Sequence, residues 1–98
     1  MSADILIVDD EADIRMLLSG ILEDEGYRVR TAHGDAEARR QVGLARPDLI
    51  FQDIWLQGST ADGIGLLEEY AQNIPNTPVV MMSGHGTIET AVRAIKQG

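Results

Sequence analysis

The chain contains no cysteine. Disulfides, thiolate metal sites and cysteine nucleophiles are therefore excluded, and the composition fits a reducing compartment. No apolar run approaches the ~20 residues that a membrane-spanning helix requires, so no membrane association is expected. The opening MSADILIV has no basic stretch ahead of its short apolar run and does not read as a secretory signal. The cytoplasm is the expected compartment. Basic residues are scarce, 8 against 16 acidic ones in 98 residues, for a formal charge of -8. A surface of that sign repels phosphate backbones, so direct nucleic-acid binding is not expected. An anionic ligand would need a metal ion or a local basic group to offset the field. Repeats and low-complexity linkers are also missing, and the length suits one domain over residues 1–98. Hydrophobic residues are not scarce: at 44% they suffice for a core and exclude wholesale disorder.

Short β-type runs alternate with helical periodicity. Ile5 to Val8 is a continuous apolar run of strand length. Between Asp13 and Glu25, residues Ile14, Leu17, Leu18, Ile21 and Leu22 recur at helical spacing, and Gly26 marks the stop. Tyr27, Val29 and Thr31 alternate with Arg28 and Arg30, which predicts a half-exposed strand. Asp35 to Ala45 reads as a helix rich in alanine and arginine, with Arg39 and Arg40 on a solvated face. After Pro47, Leu49 to Gln52 predicts a third strand. Asp62 can cap a helix carrying Ile64, Leu67, Tyr70, Ala71 and Ile74, which PNTP ends. Val79 to Met82 predicts a fourth strand. Thr87 can cap a last helix with Ile88, Ala91, Val92 and Ile95 on one face, and Gly98 stands where a helix C-terminal glycine belongs. The order βαβαβαβα implies a parallel sheet covered on both faces, and near-continuous apolar strands fit that burial.

Ligands of open parallel α/β sheets bind at the carboxyl ends of the strands. Three of those ends carry Asp9 with Asp10, Asp53, and Ser83. If the first, third and fourth strands are neighbours, one pocket receives three carboxylates and a hydroxyl. Like charges that close oppose one another's ionisation unless a cation intervenes. An all-oxygen donor set without cysteine selects Mg²⁺ over zinc. An ionised carboxylate beside such an ion is a competent nucleophile toward a phosphoryl group. Each residue alone has a plainer reading. Asp9, Asp10 and Glu11 suit a helix N-terminus, Asp53 could form a turn, and Ser83 before Gly84 is ordinary loop punctuation. His85 reads as an exposed loop histidine, and Met81 and Met82 as core. The functional reading rests on the three strand ends meeting.

At these residues the chain resembles the receiver domains of two-component response regulators. The segments ILIVDDE, DLIFQDIWL, DGIGLLEEY, PVVMMSGHG and ETAVRAIKQG carry the resemblance, in family order from near the N-terminus to the last residue. The combination DIWLQGS, DG and SGHGTIETAVRAIKQG is most similar to the nitrogen-regulation branch, of NtrC and NtrX type. The resemblance implies a flavodoxin-like doubly wound sheet of strand order 2-1-3-4-5. It implies that Asp53 accepts the phosphoryl group from a sensor histidine kinase. It implies Mg²⁺ held by Asp10 directly, by Asp9 through water, by Asp53 and by the backbone carbonyl of Trp55. Ser83 corresponds to the switch hydroxyl. Chemistry would be confined to phosphorylation and dephosphorylation of Asp53, without turnover of an external substrate. An output ATPase and a DNA-binding domain are expected in the parent protein. The family's fifth strand, with its phosphoryl-contacting lysine, and fifth helix have no counterpart here, and Lys96 belongs to the fourth helix. On that ground the missing segment is expected in the parent protein, or the 98-residue chain is expected to bury the gap by self-association. Two departures stand out: Gln52 lies in a strand the family keeps apolar, and the loop QGSTADG is longer and more polar than usual.

Two other functions fit parts of the pattern. A receiver-like module could dock partners without being phosphorylated. An aspartyl-phosphate phosphatase would also use a carboxylate nucleophile, but it needs an Asp-x-Asp arrangement after the first strand, where this chain has adjacent acids.

Overall fold

The computed structural model describes residues 3–54 and 63–82. Within them the chain runs β1 (Asp4–Val8), α1 (Ala12–Asp24), β2 (Arg28–Ala32), α2 (Asp35–Leu44), β3 (Leu49–Asp53), α3 (Gly63–Asn73) and β4 (Val79–Met82). All strand pairs are parallel, in the order β2-β1-β3-β4. This is the flavodoxin-like arrangement expected of the sequence. The fourth helix, Trp55, Asp62, Ser83 and His85 lie outside the described residues.

The strands form where apolar runs can be buried from both sides. Leu6 and Val8 of β1 and Ile50 of β3 turn toward one face. There they meet Ala38 of α2 and Leu66, Tyr70 and Ile74 of α3 in the main core. Ile54 and Met81 form a smaller cluster with Leu67 and Val79. Side chains alternate along a strand, so Ile5 and Ile7 point to the opposite face, where they too are buried. Phe51 and Val80 are in register with Ile7 but only half-buried.

Helix α1 departs from its sequence pattern. Five apolar residues at helical spacing predict a buried stripe, yet none of its residues is buried. Ile14, Leu18 and Leu22 are half-covered, while Leu17 and Ile21 are 60% and 52% exposed. The helix lies over β1 and β2, and its outer flank meets no second layer among the described residues.

Strand β2 forms as expected but turns one arginine inward. Arg30 is level with Leu6, and its guanidinium donates to Asp4 Oδ1 at 3.0 Å, to the Gln41 carbonyl at 2.7 Å and to the Ala45 carbonyl at 2.8 Å. Carbonyls at a helix C-terminus have no partner within the helix, and Arg30 supplies donors for the end of α2. Arg39 is likewise more than a solvated side chain. It reaches Asp35 on its own helix at 2.9 Å and both carboxylate oxygens of Glu69 on α3 at 2.9 Å, tying the two helices together. Arg40 pairs only locally, with Glu37.

Gly26 ends α1 as the sequence predicts. Its φ is +92°, its N–H donates to the Glu23 carbonyl, and the Tyr27 N–H reaches back to Leu22. These bonds form a Schellman motif, which requires the left-handed conformation at that glycine. A Cβ at Gly26 would meet nothing within 4 Å, so the cost of Gly26→Ala is backbone strain alone. Gly20 sits mid-helix with equally open space. Gly26→Ala should lower unfolding stability by about 1 kcal/mol or more, and Gly20→Ala should raise it by about 0.5 to 1 kcal/mol. Urea unfolding of the two variants checks the opposite signs.

Candidate metal centre

The site follows from strand register. The β1–β3 ladder ends with Val8 opposite Gln52, so the next residues, Asp9 and Asp53, leave the sheet side by side. Asp53 is the last residue of β3, one further than the sequence pattern placed the strand end. Asp10 follows directly, ahead of α1. One carboxylate oxygen from each of Asp9, Asp10 and Asp53 lies within 4.8 Å of the other two. The structure thus brings together three of the acids that the sequence nominated. Trp55 and Ser83, the other nominated residues, lie outside the described residues.

The turn between β1 and α1 is built around Asp9. Its N–H donates to the Ala32 carbonyl at 3.0 Å, which extends the β1–β2 ladder one step. Its Oδ1 accepts the Glu11 N–H at 2.8 Å, an Asx-type turn. Its carbonyl accepts Arg15 Nη1 at 2.7 Å, from the first turn of α1. Asp9 and Asp53 are only 6% and 7% exposed. Burial pushes the Asp9 carboxyl above the usual carboxylate range. The Glu11 N–H opposes that rise, while the Asp10 and Glu11 charges add to it and Arg15 offsets part of it. A cluster of carboxylate oxygens, buried at Asp9 and Asp53 and half-buried at Asp10, is chemically suited to a hard divalent cation.

A second polar feature backs the site from the α3 side. Gln52 is fully buried in β3. Its Nε2 donates to the Asp53 carbonyl at 3.0 Å, and its Oε1 accepts the Tyr70 hydroxyl at 2.7 Å. Sequence reasoning marked Gln52 only as out of place and assigned Tyr70 to an apolar helix face. The usable signal was the coincidence of one amide in an apolar strand with one hydroxyl on an apolar helix.

A model of the response regulator receiver domain matches residues 5–98. The chain belongs to that family. Among receiver-containing relatives it is 59% identical to the nitrogen assimilation regulatory protein NtrX of Azorhizobium caulinodans, over 100% of this chain and 22% of that protein. The chain therefore spans about a fifth of the length of that curated relative. The receiver domain of NtrX from Brucella abortus superposes with a TM-score of 0.89 at 56% identity, over 97% of this chain and 79% of that one. A response regulator protein from Burkholderia pseudomallei, solved with a phosphorylated aspartic acid, calcium ion and citrate, superposes with a TM-score of 0.84. It shares 30% identity over 99% of this chain and 56% of that one. Among the described residues, no helix of this receiver domain is long and apolar enough to cross a membrane.

The raised Asp9 ionisation makes a signed prediction. A carboxyl harder to ionise in the folded than in the unfolded state penalises the fold when charged. The penalty disappears as pH falls through the folded pKa toward the unfolded one. In chelator, Asp9→Asn should therefore raise stability at neutral pH, and the gain should shrink in acidic buffer as the wild-type carboxyl protonates. Adding Mg²⁺ should stabilise the wild type and do less for the variant. Urea unfolding with and without Mg²⁺ at the two pH values measures all three effects.

Proposed function

We propose that this receiver domain is a phosphorylation switch in which Asp53 is the phosphoacceptor. The observation that carries the reading is the meeting of Asp9, Asp10 and Asp53 within 4.8 Å at the carboxyl ends of β1 and β3. The donor is a phosphohistidine on a sensor kinase. An Asp53 carboxylate oxygen attacks the phosphorus, the phosphorus–nitrogen bond breaks, and the imidazole leaves with that electron pair. Asp9 and Asp10 would hold Mg²⁺ together with Asp53 and the Trp55 carbonyl. When bound, the ion neutralises the phosphoryl oxygens and relieves the mutual repulsion of the acids. The Glu11 N–H and Arg15 fix Asp9 so that its carboxylate faces the site rather than solvent. The phosphorylated aspartic acid and calcium ion in the Burkholderia pseudomallei relative support this assignment by similarity.

The new dianion on Asp53 would draw in the Ser83 hydroxyl and shift the segment after β4. The full-length protein would couple that shift to an ATPase and a DNA-binding output, and so to transcription. The domain itself turns over no external substrate.

The test uses the full-length gene product with a small phosphodonor such as phosphoramidate. Mg²⁺ should support formation of one acid-stable, base-labile adduct, lost in Asp53→Asn, and chelation should slow labelling by about tenfold or more. A wild-type protein that takes no label while still binding its kinase would replace this reading with a docking module.

A further inference from the structure

The peptide between Asp53 and Ile54 is held from both sides. Its carbonyl accepts Gln52 Nε2 at 3.0 Å, and its N–H donates to the Met82 carbonyl on β4 at 2.9 Å. The β4 contact is ordinary sheet pairing. The Gln52 contact is not, because it spends a buried carboxamide on the main chain of the adjacent residue. The orientation of that amide is settled by its partners. A carbonyl acceptor requires the nitrogen on the Asp53 side, which leaves Oε1 for the Tyr70 hydroxyl at 2.7 Å. Tyr70 is 4% exposed on α3, and burial holds its hydroxyl protonated, so it remains a donor.

A core glutamine with a partner at each end of its amide is a sufficient account of the hydrogen bonds, but not of their location. Gln52 is fully buried and lies in register between Val8 and Met81, where an aliphatic side chain of similar volume would pack without any polar partner. The polar pair instead restrains one peptide plane. That plane is the link between the Asp53 carboxylate and the main chain leading to Trp55.

We propose that Gln52 and Tyr70 are positioning residues that lock the Asp53–Ile54 peptide and couple the seating of α3 to cation affinity and to the reactivity of Asp53. Neither side chain touches the reacting atoms. Their effect is exerted through the main chain, as outer-layer partners act on metal ligands. A rotation of this peptide would displace the carboxylate on one side and the Trp55 carbonyl on the other. The inference rests on the phosphoacceptor reading of Asp53.

The experiment compares wild type, Tyr70→Phe and the double variant Gln52→Leu/Tyr70→Phe in the full-length gene product. Mg²⁺ affinity is read by calorimetry, phosphorylation rate at saturating Mg²⁺ with phosphoramidate, and stability by urea unfolding. The double variant removes both polar partners together and keeps their volume, so no buried donor or acceptor is left behind on those side chains. It takes the Gln52 donor from the Asp53 carbonyl, so its urea midpoint should fall modestly with unfolding still cooperative, while its Mg²⁺ dissociation constant rises and its phosphorylation rate falls, each by about tenfold. Tyr70→Phe, which keeps the amide but frees its far end, should lie between the two at about threefold. Wild-type affinity and rate in either folded variant would overturn the proposal and leave the pair as core structure. Asp53→Asn in the same assay separates the two claims. Label on wild type that survives Asp53→Asn refutes the phosphoacceptor reading, whereas label lost in Asp53→Asn but undiminished in the Gln52 and Tyr70 variants refutes only the positioning role.

Discussion

The crowding of three carboxylates at one edge of a parallel sheet is the constraint on which the rest of the structure depends. Register makes it unavoidable. Once Val8 lies opposite Gln52, Asp9 and Asp53 must emerge together, and both are almost fully covered. Burial, with the Asp10 and Glu11 charges adding to it, disfavours the ionised Asp9 carboxyl in the fold. The turn after β1 is correspondingly well tied, with the Asp9 main chain and side chain bonded to Ala32, Glu11 and Arg15. The acids are held close by backbone geometry, at the place where the proposed cation would bind.

The two faces of the sheet are secured differently. On the α2 and α3 side, apolar packing is supplemented by polar ties between elements. Arg39 spans the two helices to Glu69, Arg30 binds the carbonyls at the end of α2, and Tyr70 reaches Gln52. Each tie gives a partner to a group whose isolation would be costly. On the α1 side Ile5 and Ile7 of β1 are buried, but the helix itself contributes only half-covered aliphatics, with Leu17 and Ile21 left largely in solvent. The better-secured face is also the one that touches the main chain of Asp53.

Much of this was legible in the residues. Apolar runs and helical spacing gave the seven described elements in order, Gly26 gave the end of α1, and the acids after β1 and β3 named the site before their proximity was known. What periodicity could not supply was the second layer. Ile14, Leu17 and Ile21 share a spacing that marks them as one stripe, but a stripe does not reveal how wide the surface opposite it is. The inward turn of Arg30 was equally hidden, because alternation in β2 treats arginine as outward and takes no account of the carbonyls at the end of α2 that accept its guanidinium. Gln52 was conspicuous as an exception, yet its partner lay 18 residues away on an element whose rotation the sequence alone does not fix.

The position of β1 also sets an order in time. It leaves the ribosome before β2, β3 and β4, yet it lies inside the sheet, between β2 and β3. Its pairing with β3 closes a long loop, as the Asp4–Asp48 contact across 44 residues shows. Until β3 has been synthesised, Leu6 and Ile7 lack one flank and Asp9 stands apart from Asp53. Closure joins the apolar strands in the register that also brings Asp9 to Asp53, so the contact that buries Ile50 is the one that draws the like charges together. A nascent chain meets its electrostatic obstacle only when the hydrophobic gain that overcomes it has become available.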